Sequence, residues 1–291
     1  MKAVIFGAGG QDGHYLSALL KERGVQAIGI SRSTGDCRGD VGSRGFVDEL
    51  IRTERPDYIF HLAANSTTRH DVIFENHETI STGTLNILEA ARRHRPEAKV
   101  FIAGSAMQFL NNGAPINEDS PFEASSAYAV ARIQATYAAR YFRQKFAMRV
   151  YCGFLFNHDS PLRTDKHVNR IIVDSVKRIA QGSEEPLALG NLAVQKEFGF
   201  AGDVAEAIWK LIDQDDIFEV VIGTGCTYSI QDWVAYCFRS IGRDWRSHVV
   251  CKQGFQAEYM RLVSDNRLLL SLGWRSRVGF EQLADLMLAG K

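Results

Sequence analysis

Ala3-Val4-Ile5-Phe6-Gly7-Ala8-Gly9-Gly10-Gln11-Asp12-Gly13-His14 decides the fold of this 291-residue chain. Four unbroken apolar residues read as a strand buried on both faces, and the helical pattern Tyr15 to Lys21 follows the glycines without a spacer. Glycines at 7, 10 and 13 permit a tight turn and a close packing of strand on helix. Further outward, Gln26 to Ile30, Tyr58 to Leu62, Val100 to Ala103 and Arg149 to Phe156 repeat the strand signal. Helical patterns at Thr84 to His94 and Ser126 to Lys145 lie between them, and right-handed crossovers place such helices on both sheet faces. The class is therefore α/β, a doubly wound parallel sheet of the Rossmann kind. After Phe156 the texture changes, with a loop at Gly182 to Pro186 and an irregular segment at Gly190 to Gly199, while Val220-Val221-Ile222 before Gly223 reads as one more buried strand. Residues 1–157 and about 198–226 are assigned to the dinucleotide-type domain, and about 158–197 and 227–291 to a smaller α/β substrate-binding lobe.

A glycine turn that opens a helix presents free N–H groups and the positive end of the helix dipole, which suit a pyrophosphate. Gly7, Gly10, Gln11, Asp12 and Gly13 are accordingly candidate dinucleotide ligands. At the end of the second strand, Ser31-Arg32-Ser33 offers a guanidinium and hydroxyls where an NAD enzyme places a carboxylate, and the nearest acid in sequence is Asp36. Arg32 on a 2′-phosphate makes NADP the expected cofactor, ahead of NAD.

Lys plus Arg and Asp plus Glu both total 34, so no net field draws the chain to nucleic acid or to an anionic membrane. No apolar run approaches the roughly 18 residues of a membrane helix, and no signal peptide is evident. The five scattered cysteines lack metal or redox spacing, which fits a reducing cytoplasm and no metal site.

Gly10-Gln11-Asp12-Gly13 with Tyr15-Leu16, Arg55-Pro56-Asp57, Leu62-Ala63-Ala64-Asn65-Ser66, Phe154 to Pro161, Val168-Asn169-Arg170, Leu189-Gly190-Asn191-Leu192 and Thr224-Gly225 resemble successive blocks of the GDP-mannose 4,6-dehydratases. These belong to the extended short-chain dehydrogenase/reductase family. The resemblance implies Asp40 and Val41 near the adenine, Leu62, Ala63, Ala64 and Ser66 along the cofactor, and Leu155 with His158 at the nicotinamide end. It implies catalysis by Tyr128 with a cation four residues on, on the same helix face and also bordering the cofactor. Here that cation is Arg132, where the family has Lys.

Against the family run Ser-Thr-Ser-Glu, the Thr position falls at Ala106 and the Glu position at Gln108, with Ser105 one residue out of register. Ser105 and Gln108 complete the catalytic candidates. For a nucleotide-diphospho-sugar substrate, GDP-linked by resemblance, Asn157, Arg170, Lys196 (a family Arg) and Arg261 are the candidate contacts. The implied reaction is 4,6-dehydration, starting with hydride transfer at sugar carbon 4. A neutral Gln108 cannot act as the elimination base, which leaves a reductase or epimerase open. So is a catalytically impaired, NADP-binding regulatory or scaffolding homologue. Alanine-rich faces on the Thr84 and Tyr128 helices imply a homodimer like that of the family.

Overall fold

The computed structural model describes residues 1–33 and 36–290. Its first half runs β1 (Lys2–Phe6), α1 (Gln11–Glu22), β2 (Gln26–Ser31), β3 (Cys37–Arg38), α2 (Arg44–Glu54), β4 (Tyr58–His61), α3 (Ile73–Asn76), α4 (Gly83–His94), β5 (Lys99–Ser105), α5 (Ala127–Phe146) and β6 (Val150–Leu155). The second half runs β7 (His158–Asp159), α6 (Val168–Ala180), β8 (Leu187–Leu189), β9 (Gln195–Glu197), β10 (Gly199–Phe200), α7 (Ala201–Ile212), β11 (Glu219–Ile222), β12 (Thr227–Ser229), α8 (Ile230–Arg239), β13 (Val249–Cys251), α9 (Arg267–Ser271) and α10 (Phe280–Ala289).

Seven strands form one parallel sheet in the order β11-β6-β5-β4-β1-β2-β3. The chain works outward from β1 to β3 and then crosses to β4, so the order reverses between β1 and β4. A crevice opens there at the carboxyl ends of the strands. Alternate residues of each strand serve opposite faces, which explains the unbroken apolar runs. Val4, Phe6, Val100 and Ile102 pack with Val47, Ile51, Ile87 and Ala135 of α2, α4 and α5. Ala3, Ile5, Phe101 and Ala103 pack with Leu16, Leu20, Ile208 and Leu269 of α1, α7 and α9. Each of the larger side chains among these, Val, Ile, Leu or Phe, contributes about 1.5–3 kcal/mol on burial.

A third core gathers around Trp233 of α8, with Ile172 and Val176 of α6 and Leu283 and Met287 of α10. The expected return of Val220–Ile222 to the main sheet is observed as β11 beside β6. The segment expected to be irregular instead holds β9, paired antiparallel with β12, and β10, paired with β7. The polar run Gln195-Lys196-Glu197 carries no strand signal. Its conformation is set by partners distant in sequence: Glu197 accepts hydrogen bonds from the Ser264 N–H and hydroxyl, both at 2.6 Å, and from the Thr224 hydroxyl at 3.2 Å. All five cysteines are free. No helix among the described residues is long and apolar enough to cross a membrane.

Candidate active site

The crevice holds a cavity of about 1100 Å³ lined by the turn after β1, the ends of β2 and β4, and the 162–167 segment. Gly7 has φ +94°, and a Cβ there would lie 2.6 Å from the Ala63 nitrogen. A Cβ at Gly13 would lie 2.5 Å from the Gly7 carbonyl oxygen. Among the described residues, no side chain caps the start of α1, which opens beside the cavity at Gly10. These features fit a dinucleotide pyrophosphate. Gly7, Gly10, Gln11, Asp12, Gly13, Arg32, Asp40, Val41, Leu62, Ala63, Ala64 and Ser66 all line this cavity.

Arg32 donates to Glu75 of α3 at 3.0 Å across the rim, and Glu75 also accepts from Asn65 at 3.2 Å. The fold thus brings a carboxylate to Arg32 from 43 positions away, which no local reading of Ser31 to Asp36 reveals. Asp36 itself accepts from the Gly29 N–H at 2.8 Å.

A second cavity of about 310 Å³ opens off the first, sharing Asp12, Leu62, Ser66, Thr67, Arg163 and His167 with it. Tyr128, Arg132, Ser105, Leu155, Asn157 and His158 line it. Arg132, four residues after Tyr128 on α5, donates through Nε to the phenol oxygen at 3.1 Å and through Nη1 to the Ala103 carbonyl. Its guanidinium carbon sits 5.1 Å from the Tyr128 ring centre, so the fork is held by both the ring and the strand. Behind it, burial and the Arg132 charge bring His61 down to about 3, leaving that imidazole neutral.

The turn after β5 is placed differently from expectation. Gln108 is fully buried and lines neither cavity. Its carbonyl oxygen accepts from the Ser105 N–H at 2.9 Å, and its amide donates to the Thr136 hydroxyl at 3.0 Å. A 3₁₀ turn at Ala106–Gln108 produces this reversal, with Ser105 and Gln108 capping each other. Ser105 and Met107 face the cavity, two residues apart like the Thr and Glu of the family run.

Three expected substrate contacts also lie elsewhere. Arg170 is taken up by Asp174 one helical turn on, at 2.9 and 2.8 Å, and by the Pro161 carbonyl. Pairing of β9 with β12 turns Lys196 inward, where it lies 5.3 Å from the Phe198 ring centre and burial lowers it to about 8. Arg261 donates to the Gly113 carbonyl at the surface. None of the three lines either cavity.

The fold adds residues the sequence reading missed. Arg163 lines both cavities and donates to Asp159 at 2.6 Å and to the His158 carbonyl at 2.9 Å. It stands two residues beyond the quoted Phe154 to Pro161 block, a signal close enough to have been followed. Glu258 and Tyr259 arrive from the C-terminal third. Glu258 accepts from Thr68, and the Tyr259 hydroxyl donates to Asn157 at 3.4 Å. Burial, reinforced by the Glu258 charge, pushes the Tyr259 phenol up to about 12, so it remains a donor.

A seven-stranded parallel sheet with a crevice at the carboxyl ends of its strands defines a Rossmann-type α/β protein. The chain belongs to the GDP-mannose 4,6 dehydratase family, whose model matches residues 4–287. GDP-mannose 4,6 dehydratase 1 of Arabidopsis thaliana is 30% identical over 319 residues, covering 98% of this chain and 88% of the relative. The UDP-glucose 4-epimerase of Thermus thermophilus, solved with NAD, shares the fold with a TM-score of 0.85 at 21% identity, over 100% of this chain and 98% of that one. RMD from Pseudomonas aeruginosa, solved with NADPH, does so with a TM-score of 0.86 at 19% identity, over 99% of this chain and 96% of that one.

Proposed function

We propose that this protein is an NADP-dependent enzyme that transfers hydride at carbon 4 of the hexose in a nucleotide-diphospho-sugar, GDP-linked, without eliminating water. The observation that carries the reading is the Tyr128–Arg132 pair in a sugar-sized cavity that opens directly off the dinucleotide-shaped one. A bound nicotinamide supplies the hydride acceptor or donor. Tyr128 Oη exchanges the proton of the C4 hydroxyl, and the Arg132 guanidinium faces the negative charge that develops on the phenol oxygen. Ser105 supplies a hydroxyl to the same sugar position.

The family's Glu serves the acid–base step of dehydration at carbons 5 and 6, and Met107, which faces the smaller cavity two residues after Ser105, carries no group for that role. Among the described residues, the smaller cavity is lined by two carboxylates, Asp12 and Glu258. The first is engaged by His158 at 2.8 Å and the second by Thr68. The favoured reaction is therefore reduction of a 4-keto sugar or epimerisation at carbon 4. Incubation with NADPH and a GDP-4-keto-6-deoxyhexose should oxidise the cofactor and add one hydride and one proton to the sugar, read by absorbance and mass spectrometry. Loss of water from GDP-mannose would overturn the reading without elimination. Cofactor binding with no turnover would favour an impaired, regulatory homologue, to which the Met107 and Arg132 replacements also point.

Support for NADP is the position of Arg32 with Ser31 and Ser33 on the cavity wall. Arg32→Ala should weaken NADPH binding about tenfold or more relative to NADH, since charge-assisted contacts to a phosphate contribute about 1.5–3 kcal/mol. Equal affinities for the two cofactors in both proteins would refute the assignment.

We further infer a homodimer through α4 and α5, whose outer faces expose Leu85, Val130, Tyr137 and Tyr141. Tyr137→Glu combined with Tyr141→Glu should yield monomers in sedimentation velocity. Five free cysteines suit a cytoplasmic setting.

A further inference from the structure

We propose that Asp12 and His158 form a protonation-dependent latch on the cofactor loop, in which His158 is an imidazolium whose charge offsets the Asp12 carboxylate beside the pyrophosphate. The proposal rests on reading the larger cavity as a dinucleotide site.

Its geometric basis is the pair of partners around one ring. His158 Nδ1 lies 2.7 Å from the Phe156 carbonyl oxygen, and Nε2 lies 2.8 Å from Asp12 Oδ1. A carbonyl and a carboxylate can only accept, so both ring nitrogens must donate. A neutral imidazole has one N–H and would turn a lone pair on one of these oxygens; the doubly protonated ring satisfies both. Burial acts to lower His158, but the charge and hydrogen bond of Asp12 outweigh it against the opposing Arg163, and the net direction is up. Burial acts to raise Asp12, and His158 and Arg163 with the neighbouring Gln11 bring it down on balance.

The charged neighbours come from three elements: Asp12 on α1; Asp159, Arg163 and His167 on the segment after β6; and Lys196 on β9, behind Asp159. Asp159 is committed to Arg163, and burial, aided by the Arg163 charge, lowers His167 to about 4, so it is neutral near pH 7. Asp12 is the anion that His158 answers.

Asp12 lies within the first turn of α1 and lines the pyrophosphate cavity, where an unbalanced carboxylate repels the ligand. The latch also joins distant chain segments. Gln11 donates to the His158 carbonyl at 3.3 Å and accepts from the Ser160 hydroxyl at 2.9 Å, so the glycine loop is tied to the turn entering the smaller lobe.

The sign follows from linkage. A bound diphosphate favours His158⁺, so the ring loses its proton at a higher pH in the complex than in the free protein. Affinity is full while the free protein is protonated and falls as pH rises through its pKa, by about tenfold per unit until the complex also deprotonates.

Fluorescence titration of the full chain with NADPH from pH 6 to 9, repeated with NADH to remove the titrating 2′-phosphate, reads this directly. Nitrogen-15 spectra of histidine-labelled protein, with the His158 signal assigned by its loss in His158→Gln, report the ring charge without cofactor. The expected result is a doubly protonated His158 at pH 7 and an affinity that falls with its deprotonation. His158→Gln should weaken binding and flatten the pH profile, and adding Asp12→Asn should recover affinity. A singly protonated ring at pH 6, or an affinity unchanged while the ring titrates, overturns the latch alone. No binding of either nucleotide at any pH overturns it together with the cofactor reading.

Discussion

Replacing Tyr128 with phenylalanine is expected to slow hydride transfer by about 10²–10⁴-fold, the usual contribution of a positioned acid–base group, and to leave cofactor affinity unchanged. The ring is buried in the wall of the smaller cavity, and a phenylalanine keeps both that packing and the contact with the Arg132 guanidinium. Only the oxygen that Arg132 holds at 3.1 Å is removed. The fold should survive, and thermal unfolding should confirm it. Turnover would be followed at the reduced-nicotinamide absorbance with saturating cofactor. A Phe variant as fast as the native protein would remove Tyr128 from the chemistry. Arg132→Met offers a companion: it leaves the phenol in place and removes the cation, so it should also be slow, with the loss in kcat rather than KM.

Gly13→Ala is expected to weaken NADPH binding by about 5- to 150-fold, equivalent to 1–3 kcal/mol of strain at the turn. An added Cβ would meet the Gly7 oxygen at 2.5 Å and the Ala8 Cα at 2.6 Å. Both are backbone atoms, so the turn must open. Gly10→Ala is the control, because its Cβ would approach nothing closer than the Gly7 oxygen at 3.5 Å. The two glycines therefore act differently. Alanine at 13 should lower both the unfolding midpoint and the affinity, since it strains the free protein. Alanine at 10 should spare the midpoint and lower affinity alone, by intruding on the space of the pyrophosphate. Equal losses of stability for the two variants would show that the loop is not built around close packing at 13.

Much of the site was legible because its determinants are local. A glycine spacing after an apolar run can be read from a dozen residues, and the four-residue interval between Tyr128 and Arg132 places both on one face of any helix. A side chain's direction is not legible in the sequence where it depends on how a turn closes. Gln108 and Met107 are neighbours, and a single 3₁₀ turn decides which of them faces the cavity and which caps the strand end. With that turn, the residue on the cavity side is Met107 and not Gln108. Arg170 and Lys196 line neither cavity for a related reason. Their partners, Asp174 and the β12 strand, determine where the charge points, and a cation in sequence carries no direction.

The sequence by itself determined the Rossmann class, the glycine turn and the tyrosine–arginine pair, because strand burial, glycine freedom and helical periodicity act over short distances. Only the tertiary structure brought Glu75 to Arg32, Glu258 to Thr68 and Asp12 to His158, which are 43, 190 and 146 positions apart in the chain. Charges act through space rather than along the sequence. What the cofactor loop meets was therefore settled when the sheet order placed the ends of β1, β4 and β6 around one crevice.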